Sequence, residues 1–165
     1  MYYQLEIQTL NDGTITVGAT STYNDSISAQ ISFSTKKAAN LSAIKAGNLK
    51  ACLIHTFGDT GISIPGMNEY VTGSEQVEPQ ENAANFYQME VQTLTDGTTA
   101  IGATASYVDK IDADIAFSSK KASNLTAIQQ GTLNACLIHT FDPQGNTVNG
   151  MNDYLNNIAP VESEI

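Results

Sequence analysis

The chain contains no arginine and no tryptophan; its seven basic side chains are all lysines, set against seventeen acids for a net charge of −10. Arginine reads phosphate and guanine through paired hydrogen bonds. Its absence from an acidic chain argues against nucleic acid as a partner. No apolar run approaches the roughly 20 residues that cross a bilayer, so no membrane partner is expected. The opening Met-Tyr-Tyr-Gln-Leu-Glu has neither a basic n-region nor an apolar h-region, and the expected location is the cytoplasm. Cysteine is scarce, with only Cys52 and Cys136; the expectation is two reduced, buried thiols. Glycine-rich phosphate loops, Gly-x-Ser-x-Gly elbows and His-Glu-x-x-His helices are all missing.

What the chain does have is an internal repeat. Residues 3–70 and 87–154 align without a gap at an offset of 84 and agree at 40 of 68 positions. The run Ala51-Cys52-Leu53-Ile54-His55-Thr56-Phe57 returns unchanged as residues 135–141, and Gly66-Met67-Asn68 returns as Gly150-Met151-Asn152. The organisation expected is a first repeat unit at 1–71, an acidic linker at 72–85, a second unit at 86–155 and an acidic tail at 156–165. Units of about 70 residues bury modest cores, so the two copies are expected to pack as a pseudo-two-fold dimer.

The charge is uneven. Residues 1–71 carry five acids and four lysines, and residues 86–155 carry seven acids and three lysines. Glu75, Glu78 and Glu81 lie in the linker, and Glu162 and Glu164 in the tail; such segments stay solvated without a fold.

Each unit reads as α+β in the order ββαββ, a helix on an antiparallel sheet. Tyr3, Leu5 and Ile7 alternate with Gln4, Glu6 and Gln8, which predicts a half-buried strand. Asp12-Gly13 and Asp96-Gly97 predict hairpin turns, followed by a return strand over 14–20. Gly18 and Gly102 mark a bulge or a close crossing there. Asp25 and Asp109 open a helix as N-caps. Ile27, Ile31, Ser34, Ala38 and Leu41 share one helical face. Asn40 and Asn124 are expected to break the helix, and Gly47 and Gly131 to end it. The apolar segment 49–57 predicts a central third strand. A short fourth strand is expected at 62–65, at an edge because Pro65 lies in it.

Three constellations invite chemistry. Cys52 with His55, and Cys136 with His139, carry the residue types of a nucleophile and base or of zinc ligands. Residues three apart on a strand point to opposite faces, so the spacing favours a core cysteine and an outward histidine. Asp109, Asp112 and Asp114 cluster in the second copy only, and lack the glycine and distal glutamate of a calcium loop. They are expected at a solvated helix start, where charge tunes partner choice. Ser26/Lys110, Ser28/Asp112, Gln30/Asp114 and Lys45/Gln129 differ between copies on this polar side, which implies that the two units have unequal partners or that only one of them binds. Met67, Tyr70, Met151 and Tyr154 are the other candidates for partner contact. No catalytic, cofactor or metal residues are assigned.

The order Tyr-Tyr-Gln-Leu-Glu-Ile-Gln-Thr-Leu, Asp-Gly-Thr hairpin, amphipathic helix, apolar strand and glycine turn resembles short uncharacterised ββαββ proteins encoded on bacterial phages and mobile elements. The resemblance covers both copies and carries no functional residues. It implies an accessory protein that binds host or rival machinery, anti-defence inhibitors included. The expected function is therefore a non-enzymatic protein-binding protein whose partner is another protein, with further oligomerisation compatible. The alternative is a small-ligand sequestering protein with a pocket between the repeats.

Overall fold

A computed structural model describes residues 3–11, 14–17, 21–72, 87–95, 98–101 and 105–157. The hairpin turns at Asp12-Gly13 and Asp96-Gly97, the strand glycines Gly18 and Gly102, nearly all of the linker and most of the tail lie outside these residues.

The protein is α+β, with two helices and two antiparallel sheets. Alternating side chains make β1 (Tyr3–Asn11) a two-faced strand, and Tyr3 and Leu5 are buried on its inner side. It pairs β2 (Thr14–Val17) at one end and a further strand, β3 (Ser21–Tyr23), at the other. Of the return strand expected over 14–20, residues 14–17 are described and form β2; β3 is an additional strand beyond it, so each half runs βββαββ rather than ββαββ. Helix α1 (Ser26–Lys45) follows, then β4 (Ala51–Phe57) and β5 (Ser63–Thr72). The second half repeats this with β6 (Tyr87–Thr95), β7 (Thr98–Ile101), β8 (Ala105–Tyr107), α2 (Lys110–Gln129), β9 (Ala135–Phe141) and β10 (Thr147–Asn156). The first sheet is ordered β2-β1-β4-β5, with β3 also on β1, and the second repeats that order.

Both helices begin on their aspartates. Asp25 accepts from the Ser28 amide at 2.7 Å and Asp109 from the Asp112 amide at 2.8 Å, satisfying N–H groups that lack helical partners. Neither helix breaks at its asparagine. The side-chain amides of Asn40 and Asn124 donate to the carbonyls of Lys36 and Lys120, one turn back, so they bond along the helix instead of competing with it. Both helices end as expected: Gly47 takes φ +78°, its amide bonds Ile44 O, and the Asn48 amide bonds Ala43 O. This paired closure needs a left-handed residue that glycine supplies at little cost.

The fourth strand is ten residues long rather than four. Phe57 pairs Ser63 and His55 pairs Asn68, so β5 bulges between these points. The repeated Gly-Met-Asn run builds that bulge. Gly66 adopts φ +78°, Met67 turns into the core, and Asn68 closes the loop. Its carbonyl accepts from the Thr56 amide at 3.1 Å while its NH2 donates to Ile64 O at 2.6 Å. Asn152 does the same with Thr140 and Val148. Pro65 falls in the bulge, where no ladder hydrogen bond is required of it.

Each helix packs on its own sheet and on the other helix, giving layers in the order sheet, helix, helix, sheet. Phe33, Leu41 and Ile44 fill the first core with Leu5, Cys52, Ile54 and Val71. Ile27 and Ile31 do not join them. They pack against the second core, and Ile111 and Ile115 against the first. The single apolar face read from the helix sequence is two faces, one for each neighbour.

Candidate functional site

Two regions merit description: the seam where the helices meet, and the outer faces of the sheets.

The seam holds the acidic residues expected at a partner surface. Asp114 is 3% exposed and Lys37, from the other half, 5%. Lys37 Nζ lies 3.0 Å from Asp114 and 2.9 Å from Glu69. Burial alone would pull the ammonium pKa down; Asp114 and Glu69 outweigh it and hold Lys37 above its ordinary value. Asp109 and Asp112 both face Lys45 of the first half, Asp109 at 3.6 Å and Asp112 in direct hydrogen-bond contact. The Asp112 hydrogen bond is the chief reason that the Lys45 pKa is raised. These acids therefore have partners inside the chain. The differences at Ser28/Asp112, Gln30/Asp114 and Lys45/Gln129 thus fall where the copies meet each other; Asp114 is buried there, while Asp109 and Asp112 keep 43% and 38% side-chain exposure.

The contacts are reciprocal. Lys45 of α1 meets Asp109 and Asp112 near the start of α2; Gln129 of α2 meets Ser28 at 2.6 Å and Asp25 at 3.5 Å near the start of α1. Under the repeat offset these are the same positions exchanged. One junction is an ion pair, and in the other a neutral amide meets the Asp25 carboxylate and the Ser28 hydroxyl. The same holds deeper in the seam: Lys121 meets Asp153 at 2.6 Å, but Gln30 stands where the other junction has Asp114, and its amide turns to Ser26 Oγ at 3.4 Å.

The outer faces carry the second feature. Cys52, Ile54 and Thr56 of β4 are buried toward the helix, while Leu53, His55 and Phe57 are half-buried on the far side. Cysteine and histidine thus sit on opposite faces, as the strand spacing predicts. Burial pushes both thiols up to about 11, which suppresses thiolate chemistry near neutrality. Register places Gln8 and Tyr70 beside Leu53, and Gln4 beside Phe57. His55 stacks on Phe57 with ring centroids 5.7 Å apart. The second sheet repeats the set: Gln88, Gln92, Leu137, His139, Phe141 and Tyr154. Tyr70 and Tyr154 are 48% and 56% exposed. Met67 and Met151, expected beside them on the surface, are core residues. A strand alternates, so Met and Tyr three apart cannot share a face.

Only the assembled sheet brings this surface together, although one signal was available beforehand: the seven-residue run repeated without change. Some inward positions drift between copies, as Leu5/Met89, Ile7/Val91, Ile64/Val148 and Val71/Leu155, while others such as Tyr3, Cys52, Ile54, Thr56 and Met67 return unchanged. The outward positions named above do not drift at all. Among the described residues no group of three or more histidine, cysteine or acidic side chains is placed to hold a metal, and no helix is long and apolar enough to cross a membrane. The chain matches no family model, no curated protein and no solved structure.

Proposed function

We propose that the chain is a fused pseudo-dimer acting as a non-enzymatic, bivalent protein-binding accessory protein. It presents one like sheet face on each side of a central helix pair. The observation that carries this reading is that the half-buried outward side chains of β4 and β9, with Tyr70 and Tyr154 beside them, are identical in the two copies. Exposed positions tolerate change at little cost, so the identity of the exposed Tyr70 and Tyr154 fits a contact duty that both faces share. Half-buried aromatic and aliphatic side chains among neutral glutamines suit a protein partner. Two like faces on one body gain avidity for a repeated or dimeric partner. In the phage and mobile-element context that the resemblance implies, that partner is a cytoplasmic host or rival defence protein, inhibited by occupation of its surface.

The test is site-specific photocrosslinking in the cell of origin. A photoreactive phenylalanine at position 70 or 154 should capture the same protein. The same probe at exposed helix positions 36 and 120 should not. Replacing both tyrosines by alanine should abolish capture by a probe at Gln4 while changing stability by no more than about 0.5 kcal/mol. If positions 70 and 154 capture nothing beyond what 36 and 120 capture, the sheet-face reading fails.

A further inference from the structure

The two deep junctions of the seam are matching sites that differ in their facing-helix residue, Asp114 at the first and Gln30 at the second, and a cavity lies beside the second. At the first junction Lys37 is bridged by two carboxylates, Glu69 from β5 and Asp114 from the facing helix. At the second, Lys121 is met by Asp153 of β10, and the facing helix offers Gln30. A pocket of about 230 Å³ opens beside these groups. Gln30, Lys121 and Asp153 line it with Pro65, Met67 and Leu155. Both halves contribute to it, from the β5 bulge on one side and β10 on the other.

We propose that this pocket binds a small molecule bearing a carboxylate, whose acid group lies between Lys121 and Gln30. Three features support the assignment. Lys121 is a cation largely withdrawn from solvent, its side chain 13% exposed, and a charge so placed favours a second compensating partner. The fold already holds a carboxylate–lysine–carboxylate triad at the matching junction, so a ligand acid would reproduce an arrangement this scaffold sustains. Gln30 can serve as a second donor. Its NH2 makes one long contact to Ser26, and exchanging it for a charge-assisted bond to a carboxylate is favourable. Pro65, Met67 and Leu155 give the ligand body an apolar wall. The volume lies below the 300–1,000 Å³ or so of drug-sized sites, which limits the ligand to a compact acid. This inference rests on the seam and not on the outer sheet faces, and it stands if the sheet-face reading fails.

The experiment is a titration of the full chain with a series of monocarboxylates from acetate to benzoate, paired with their neutral amides. It is read by amide chemical shifts at Gln30, Gly66 and residues 153–156. At least one acid should shift these signals saturably, with its amide at least tenfold weaker. Gln30→Asp, which installs the carboxylate of the other junction, should abolish acid binding while the melting temperature holds or rises. Lys121→Met should also abolish it, with Lys36→Met as the unaffected control. The proposal is overturned if no acid in the series shifts these amides at 10 mM (on the order of the weak-binding limit), if acids and amides bind alike, or if Gln30→Asp binds as well as the native chain.

Discussion

Lys37 and Asp114, from opposite halves of the chain, form an ion pair 3.0 Å long at the centre of the molecule, with almost no solvent access to either. A buried pair is costly to break from one side, because the surviving charge has no water to turn to. Lys37→Met strands the buried Asp114 carboxylate, while Glu69 keeps access to water, and should destabilise the fold by about 3–5 kcal/mol. Asp114→Gln copies the other junction and leaves Lys37 with Glu69, so it should cost less, roughly 1–3 kcal/mol. Urea unfolding of the two variants checks the order. If Asp114→Gln proved the more damaging, Lys37 would not be the shared centre of the cluster.

Alkaline pH should weaken the fold in a defined window. Cys52 and Cys136 rise from 9.0 to about 11 by burial. Their neutral thiols therefore favour the folded state fully below pH 9, and that contribution is lost as pH climbs toward 11. Two units correspond to roughly 2–3 kcal/mol per cysteine. Lys37, raised above 10.5, also contributes fully below that value and loses its contribution higher still. Chemical denaturation at pH 8, 9, 10 and 11 should show a steady fall, and replacing both cysteines by alanine should flatten it between 9 and 11. An unchanged slope would reject the thiols as its source. Thiol reagents at neutral pH should label the native chain slowly and the unfolded chain fast.

Thr56 and Thr140 are fully buried, and among the described residues their hydroxyls find no hydrogen-bond partner. Replacing an unpaired buried hydroxyl by a methyl group of similar shape removes a desolvation cost. Thr56→Val and Thr140→Val should each be neutral or stabilising by about 1 kcal/mol. A loss of more than about 1 kcal/mol in thermal unfolding would mean that each hydroxyl is satisfied after all.

Residues 1–72 alone should not behave as a free domain. Separation exposes Ile27 and Ile31, which are partly buried against the second core, and each is worth at most the roughly 1.5–3 kcal/mol of a fully buried isoleucine. It also takes Asp114 from Lys37 and Asp112 from Lys45. The fragment should melt well below the full chain or associate into a dimer, as sedimentation would show. A monomer as heat-resistant as the parent would mean that the halves fold independently.

Much of the architecture was legible beforehand because it rests on local rules. The Asp25 and Asp109 caps, the Gly47 and Gly131 terminations, and the opposed faces of Cys52 and His55 all follow from backbone geometry within a few residues. Asn40 looked like a breaker because the competing local bond could not be distinguished from the one it makes to Lys36. The strand at 21–23 was missed because its three residues, Ser-Thr-Tyr, are too few to show an alternation. Met67 looked exposed because the bulge that turns it inward depends on pairing with β4.

The sequence alone determined that the chain is two copies of one α+β unit, where each helix starts and stops, and which strand residues alternate in and out. Those properties depend on φ and ψ preferences and on the period of the side chains. Only the tertiary structure decided what each face meets. Ile27 and Phe33 are equally apolar, yet one serves the opposite core and the other its own. Asp114 reads like any surface acid until Lys37 arrives from the other half. Facing partners come together by long-range packing, and no spacing along a single chain records that meeting.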